Sequence, residues 1–316
     1  MLGGIIITGD PNHPDPESGV SKGTCSPAWA RVDVLGKPPI ARVADSLRRV
    51  CDHVSVVALD NSRLTTDSHN SFCPDVVAKC FANYKRKGFA AVLMIRCGAY
   101  VEVDIAEMLA FHELQGLGTT QAFTDEGPLE VWIVDTSAVH ECPKILSSAV
   151  PLARYYSQAY VNRLQSAEDF RRLVLDSFSS RCLLRPEGIE IKPGVWVGSG
   201  AQIDRSARVV APAFIGRNVE ISDNCLITRA SNIESNSHID FGSAIENSSI
   251  LSNTYVGIGL DLCHSIVDGN NLLNLRHHVN LPITDPVVLR RNEANAIQNQ
   301  SWMDIESGEM ALSSAE

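Results

Sequence analysis

The chain has 316 residues, of which 44% are hydrophobic and 20% are charged, so it can bury a sizeable core and is not disordered as a whole. Its 27 basic and 37 acidic side chains give a net charge of −10, which argues against nucleic acid or an anionic membrane as a partner. With no apolar run of membrane-spanning length, no basic signal-peptide region and nine cysteines without a CxxC pair, we expect a cytoplasmic protein that lacks disulfides and a zinc cluster.

Residues 1–150 alternate short apolar stretches with stretches of helical spacing, which is typical of an α/β domain with a mostly parallel sheet. Strands are predicted at Ile5–Thr8, Val54–Leu59, Ala90–Ile95 and Leu129–Val134, and helices at Pro39–Val50, Pro74–Lys87 and Val103–Gln115. Residues 10–29 are rich in proline and glycine and predict a long loop after the first strand.

Residues 151–187 follow with a helical pattern and are predicted to link two domains. In this linker the basic pair Arg171 and Arg172 comes just after Glu168 and Asp169. Such a mixture of charges predicts a solvent-exposed helix face.

Residues 188–290 contain a repeat of six residues. Every sixth position from Ile191 to Ile245 is isoleucine or valine: Ile191, Val197, Ile203, Val209, Ile215, Ile221, Ile227, Ile233, Ile239 and Ile245. This period fits neither a helix nor a single strand, but it fits a β-helix that turns a corner every six residues and buries one side chain per face. After Ile245 the series resumes one position early at Ile250, which predicts a one-residue deletion at a corner; the polar residues 291–316 predict a loose tail.

Five segments resemble the sugar-1-phosphate nucleotidyltransferases, the nucleotide-sugar pyrophosphorylases that include mannose-1-phosphate guanylyltransferases. They are Val34–Ile40 (VLGKPPI), Val92–His112 with its VDIAEMLAFH end, Glu126–Val134, Ser166–Phe170 and Pro193–Gly198 (PGVWVG). The resemblance implies a Rossmann-like nucleotidyltransferase domain followed by a left-handed parallel β-helix of hexapeptide repeats.

The resemblance also implies where phosphates and metal would bind. Gly9, Lys37 and Asp104 fall within the matching motifs, and Lys22 and Arg31 lie near the position of the family's lysine and could substitute for it; these five are the candidate substrate-binding residues. In the family, a glycine-rich loop, a lysine and two Mg²⁺-binding aspartates neutralise the charge of the phosphates.

Several of these family positions hold other residue types in this chain. Asp10 and Pro11 interrupt the loop, the lysine position holds Trp29, and the aspartate positions hold Gly98 and Arg163. No metal is therefore expected unless the chain is active, in which case Asp10 and Asp104 would be the pair for Mg²⁺.

The favoured hypothesis is a catalytically degenerate family member that acts as a binding, regulatory or assembly subunit in sugar-nucleotide or polysaccharide metabolism. A nucleotide or sugar phosphate is its possible ligand, and a homo-oligomer or a catalytic paralogue its expected partner. One alternative is an active sugar-1-phosphate nucleotidyltransferase with a rearranged site. A second is a hexapeptide acyltransferase with a histidine base, for which the candidates are His238, His264, His277 and His278.

Three acidic residues and one histidine in the N-terminal part also have structural interpretations. Asp104 is suited to cap the helix that follows it, and His112 to pack at that helix's end. Asp125 and Glu126 are suited to a turn before Gly127.

Overall fold

A computed structural model describes residues 1–8, 29–58, 75–137 and 152–292 of the protein. The chain divides into two compact units. The first comprises Met1–Arg31 and Pro38–Asp169, and the second comprises Val32–Lys37 and Phe170–Glu316. The short segment Val32–Lys37 therefore belongs with the C-terminal half of the chain, although it lies between two parts of the first unit in sequence.

The first unit is a mixed α/β structure, as its sequence predicts. Its strands are β1 (Leu2–Thr8), β2 (His53–Ala58), β3 (Ala91–Cys97), β4 (Tyr100–Val101), β5 (Thr119–Thr124), β6 (Gly127–Asp135), β7 (Ala153–Tyr156) and β8 (Val161–Asn162). Its helices are a 3₁₀ helix (Trp29–Arg31), α1 (Pro39–Arg48), α2 (Asp75–Arg86) and α3 (Ile105–Gln115), and α4 (Ala167–Phe178) leads into the second unit.

Six of these strands form one sheet in the order β2-β1-β3-β6-β5-β7. Strand β1 runs parallel to both β2 and β3, whereas β6 runs antiparallel to its neighbours. Because successive side chains of a strand face opposite sides, Ile5 and Ile7 pack with Phe81 of α2, and Ile6 packs with Leu47 of α1. Both faces of the sheet are thus covered.

Residues 151–187 differ from the predicted helical linker. Strand β7 joins the first sheet by pairing parallel to β5, and β8 pairs with β4, so in the described residues 152–187 the helix is α4 alone. In β7 the side chains of Ala153 and Tyr155 are buried and their neighbours are exposed. This alternation over four residues is the signature of a half-buried strand, and it is too short to stand out beside the helical spacing further on.

The second unit is a β-helix-like region of short strands in three sheets. Its strands in chain order are β9 (Ile189–Lys192), β10 (Val195–Val197), β11 (Gln202–Ile203), β12 (Arg208–Val209), β13 (Ala213–Ile215), β14 (Glu220–Ile221), β15 (Leu226–Thr228), β16 (Ser231–Ile233), β17 (His238–Ile239), β18 (Ala244–Glu246), β19 (Ser249–Ile250), β20 (Thr254–Val256), β21 (Asp261–Cys263), β22 (Ser265–Asp268), β23 (Asn271–Asn274), β24 (Val279–Pro282) and β25 (Leu289–Arg291). The sheets have the orders β24-β23-β22-β19-β16-β13-β10-β9, β11-β14-β17-β20-β25 and β12-β15-β18-β21.

Each coil of this region stacks in parallel on the previous one. Val195 pairs with Ala213, and Ala213 with Ser231, so one coil takes 18 residues, or three hexapeptides. The predicted series is the core: from Ile215 to Ile245 each of its members is at most 2% exposed.

Ile191 is an exception to the predicted series, because it is 58% exposed. Its strand β9 pairs antiparallel to β10, so it is not part of a coil and its side chain does not enter the core. The ladder that packs inward begins with Val195 and Val197.

The one-residue deletion predicted after Ile245 is confirmed at the corner between the third and first sheets. Ile233 pairs with Ile250, which shortens this coil to 17 residues. In the 18-residue coil, the corner between β15 and β16 holds two residues of positive φ, Arg229 and Ala230. The equivalent corner of the next coil, between β18 and β19, holds one, Asn247.

Antiparallel strands close parts of both ends of the second unit. Strand β9 lies at one edge of the eight-stranded sheet, and β23 and β24 lie at the other. Strand β25 runs antiparallel to β20 at the edge of the five-stranded sheet.

Among the helices of the described ranges, none combines the length and apolarity needed to cross a bilayer.

Candidate functional site

The carboxyl ends of β1 and β3 are the first place to compare with the predicted site. Strands β2 and β3 lie on opposite sides of β1 in the sheet, so the strand order reverses between β1 and β3. Ligands of open α/β sheets commonly bind at such a switch point. Thr8 and Cys97 are paired at these strand ends, and Gly98 directly follows Cys97.

The pairing of β4 with β8 brings the two metal positions implied by the resemblance to the same place. Tyr100 pairs with Asn162, so Gly98 lies two residues before one partner and Arg163 one residue after the other. The two segments are therefore neighbours, but their side chains do not fit Mg²⁺. Glycine offers no ligand, and the Arg163 guanidinium carries positive charge where a carboxylate is needed.

Arginines near this edge are paired with glutamates of the β5–β6 hairpin. Arg163 Nη2 lies 3.3 Å from Glu126 Oε2, and both side chains are exposed. Arg96, near the end of β3, lies 3.3 Å from Glu130 Oε2. In the described ranges, no three histidine, cysteine or acidic side chains gather in a group that could hold a metal ion.

The predicted substrate-binding residues are distributed over both units. Gly9 and Lys22, like Asp10, lie outside the described residues. Arg31 is exposed at the end of the 3₁₀ helix of the first unit, whereas Lys37 is in the second. Trp29, at the family's lysine position, is 7% exposed and therefore belongs to the protein interior.

Asp104 caps helix α3, as its structural interpretation predicts. Its carboxylate accepts a hydrogen bond of 3.0 Å from the backbone N–H of Glu107, and Gly116 ends the helix in the left-handed conformation. Glu107 in turn accepts a hydrogen bond from the Tyr155 hydroxyl at 2.7 Å. Burial, together with the carboxylates of Glu107 and Asp104, raises the pKa of Tyr155 to about 12.

The packed interpretation of His112 is also confirmed. Its ring is 4% exposed, with Nδ1 2.8 Å from Thr120 Oγ1 and Nε2 3.1 Å from Asp135 Oδ1. Asp125 and Glu126 form the turn between β5 and β6, as predicted.

The histidines considered for acyl transfer lie on the second unit. His238 Nδ1 is 3.0 Å from Glu220 Oε2, and its ring stacks on Tyr255 with centroids 5.5 Å apart. Arg290 covers the Tyr255 ring at 3.4 Å, which ties β25 to β20. His264 Nδ1 lies 2.6 Å from Asn247 Nδ2, whereas His277 and His278 are exposed.

Arg171 is buried, contrary to the predicted solvent-exposed face: it is 4% exposed, whereas Arg172 is exposed. Its guanidinium donates to Asn232 Oδ1 at 3.1 Å, Ser249 Oγ at 3.2 Å, Asn247 Oδ1 at 3.0 Å and the carbonyl oxygen of Ala230. Burial lowers the pKa of Arg171 to about 10, so the guanidinium stays charged at neutral pH.

Glu234 is the second buried charge of this network, and its side chain is fully buried. Asn232 links the two charges, because its Oδ1 accepts from Arg171 while its Nδ2 donates to Glu234 Oε1 at 2.7 Å. The other donors are backbone groups: Leu35 N–H bonds Oε1 and Gly36 N–H bonds Oε2, each at 2.8 Å. The carboxylate is therefore held by a turn that lies 198 residues away in sequence.

The turn Val34–Lys37 presents these two N–H groups through an unusual backbone. Leu35 has φ +53° and Gly36 has φ +92°, and Val34 N–H closes the turn on the carbonyl of Lys37 at 3.2 Å. Successive N–H groups in such conformations form a concavity that binds anions. The sequence did not identify Arg171 or Glu234 as a buried charged residue. The one sequence signal for Glu234 is its place directly after Ile233, whose side chain faces the core.

We expect Gly36→Ala to lower the free energy of unfolding of the second unit by about 2 kcal/mol. A Cβ at this position would lie 2.9 Å from Glu187 Cβ and 3.0 Å from Phe214 Cζ, besides requiring positive φ. Urea denaturation followed by circular dichroism measures the change. Gly259→Ala is the matched control, since φ there is +64° but no atom lies within 4 Å, and an equal loss in both variants would contradict the steric contribution.

Comparison of the chain with protein-family models and with curated proteins gave no match.

Proposed function

We propose that this protein is a catalytically degenerate relative of the nucleotide-sugar pyrophosphorylases, with a nucleotidyltransferase-like first unit and a left-handed β-helix as second unit. One observation carries the proposal. Strands β4 and β8 pair, which brings together the two segments where the resemblance would place metal-binding carboxylates, but these segments supply Gly98 and Arg163.

The replacement supports the proposal because of what nucleotidyl transfer requires. The reaction depends on positioning and on neutralising the charge of the phosphates, and Mg²⁺ held by carboxylates provides much of that neutralisation. Arg163, placed near the same edge, can attract a phosphate but cannot hold Mg²⁺, and Glu126 offsets part of its charge. Such a site is suited to weak binding of an anionic ligand without turnover.

The proposed role is therefore binding, regulation or assembly in sugar-nucleotide or polysaccharide metabolism. The ligand would be a nucleotide or a sugar phosphate, and the partner a second copy or a catalytic paralogue. Support for a partner comes from the second unit, whose sides carry exposed apolar side chains at neighbouring corners, such as Phe241 (45% exposed) and Ile258 (63%).

We expect no pyrophosphate release when the purified protein is incubated with nucleoside triphosphates, sugar 1-phosphates and Mg²⁺. Isothermal titration with the same panel should detect nucleotide or sugar-phosphate binding that does not require Mg²⁺, and Arg163→Ala should weaken it about tenfold. Arg154→Ala is a control for a general loss of positive charge. Magnesium-dependent release of pyrophosphate would establish the active alternative instead, and turnover of an acyl thioester would favour the acyltransferase.

A further inference from the structure

The β-helix-like region has three outer sides, one for each of its sheets, and they differ in what lies on them. On the eight-stranded sheet, Arg171 of α4 and the Val34–Lys37 turn contact Asn232 and Phe214, both of which are buried. On the five-stranded sheet, the stacked rings already described join neighbouring strands. On the four-stranded sheet β12-β15-β18-β21, all outward side chains are exposed or partly exposed.

The outward side chains of the four-stranded sheet form two straight rows across its strands. The first row consists of Arg208, Leu226, Ala244 and Asp261, and the second of Val210, Thr228, Glu246 and Cys263. We call this surface the four-stranded face. Its first row has a positive charge at one end, a negative charge at the other and two apolar side chains between them.

The two end charges of the first row have no counterpart nearby. Arg208 and Asp261 are exposed, and within the part of the chain that the structure describes neither forms an ion pair or a side-chain hydrogen bond. Neighbouring strands of a sheet lie about 4.8 Å apart, so these charges, on the first and the last of four strands, are roughly 14 Å from each other. They are therefore too far apart to pair within one chain.

We propose that the four-stranded face binds a second copy of this chain, with the two β-helix-like regions antiparallel about a two-fold axis that runs along the strands. This rotation reverses the order of the strands. It places Arg208 opposite Asp261 of the second copy, and Leu226 opposite Ala244 of the second copy. A row that is complementary to itself when reversed is what a symmetric interface between identical chains requires.

The second row is also compatible with the reversed order. Val210, which is 43% exposed, comes to lie opposite Cys263 of the second copy, and Thr228 comes to lie opposite Glu246. The first pair is apolar, and in the second pair a hydroxyl can donate to a carboxylate.

A two-fold axis along the length of the β-helix-like region would not give this complementarity. It would keep each strand at its own level, so Arg208 would approach the same arginine of the second copy and Asp261 the same aspartate. Like charges brought together at an interface are unfavourable. The charge pattern therefore favours the antiparallel arrangement.

The size of the four-stranded face predicts a weak dimer. Four strands about 4.8 Å apart, with about five residues of about 3.3 Å each, give an area of roughly 300 Å². Phe241 and Ile258, at the corners that lead into β18 and β21, border the face and add apolar area. A standard interface uses about 800 Å² of each partner, so we expect a dissociation constant in the micromolar range.

The inference rests on the proposed function only in its choice between the two partners named there, a second copy and a catalytic paralogue. The two can fail separately. A dimer that binds no nucleotide or sugar phosphate would contradict the proposed function alone, and a monomer that binds one would contradict this inference alone.

Sedimentation velocity of the full chain over a range of concentrations tests the proposal. We expect a monomer–dimer equilibrium, and Arg208→Asp or Asp261→Arg should raise its dissociation constant at least about tenfold, because each creates two like-charge contacts. The double variant with both substitutions restores opposite charges and should dimerise like the wild type. Arg276→Asp is the matched control, since Arg276 is exposed but lies on the β23–β24 turn outside this face.

Cross-linking tests the antiparallel arrangement itself. Val210→Cys places a thiol opposite Cys263 of the second copy, so a short bismaleimide should join two chains of this variant. It should not join two wild-type chains through Cys263, because the two copies of that residue lie at opposite ends of the interface. Gln202→Cys, exposed on the five-stranded sheet, is the control.

Several results would overturn the proposal. They are a monomer at every concentration, a dimer that neither charge reversal weakens, a double reversal that fails to restore the dimer although circular dichroism shows it folded, and equal cross-linking of the Val210→Cys and Gln202→Cys variants.

Discussion

Ile233→Ala should lower the free energy of unfolding of the second unit by about 4 kcal/mol. The side chain is fully buried in the centre of the ladder, between Ile215 and Ile250 on the adjacent coils. Truncation removes its contacts with both neighbours and leaves a cavity. A stacked array cannot close such a cavity easily, because each coil is fixed by hydrogen bonds to the next. Urea denaturation followed by circular dichroism measures the loss.

Ile191→Ala is the matched control, because this residue occupies the same place in the six-residue series. At 58% exposure it should change stability by less than about 0.5 kcal/mol. Equal losses in the two variants would contradict the assignment of Ile191 to a strand outside the coils.

Arg171→Met should lower the free energy of unfolding by about 3 kcal/mol. Methionine fills much of the volume but removes the donor to four acceptors, of which Asn232 and Ser249 are buried and Asn247 and the carbonyl of Ala230 are partly buried. It also leaves Glu234 without its amide-linked positive charge. The gain from no longer burying a guanidinium offsets part of this loss, which is why we expect about 3 kcal/mol rather than the sum of four broken hydrogen bonds.

Arg172→Met provides the comparison for Arg171. It removes an exposed guanidinium one position further along the same helix and should change stability by less than about 0.5 kcal/mol. Arg171→Lys should fall between the two, since it keeps the charge but cannot reach four acceptors in one plane. A stable Arg171→Met variant would show that Asn232 and Asn247 find other donors.

Local periodicity predicted much of this fold. The ladder from Ile215 to Ile245 and the alternating elements of residues 1–150 are repeated patterns within short windows, so they can be read without knowing the tertiary structure. Strands β4, β7 and β8 escaped prediction because each has only two to four residues. Strand β5 (TTQAFT) escaped because it carries few large apolar side chains. The six-residue pattern also included Ile191, because a sequence period cannot show that the chain has reversed direction.

The candidate sites were less predictable because they depend on distant contacts. Asp104 and His112 were interpreted correctly from their positions at the ends of one helix. For Arg171, in contrast, the local charge pattern predicts solvent exposure. Its burial depends on hydrogen-bond acceptors that lie 59 to 78 residues away in sequence. Glu234 likewise meets a turn almost 200 residues earlier.

The antiparallel strands at the ends of the β-helix-like region restrict how this protein can evolve. Because β9 and the hairpin of β23 and β24 occupy the two edges of the eight-stranded sheet and cover β10 and β22, a further coil cannot stack directly on either of these strands. A longer descendant would have to arise by duplication of an internal 18-residue coil, such as Ala213–Ala230, whose strand β13 pairs in parallel with β10 on one side and β16 on the other. Coil number should therefore vary in whole internal units while the two terminal strand arrangements stay fixed.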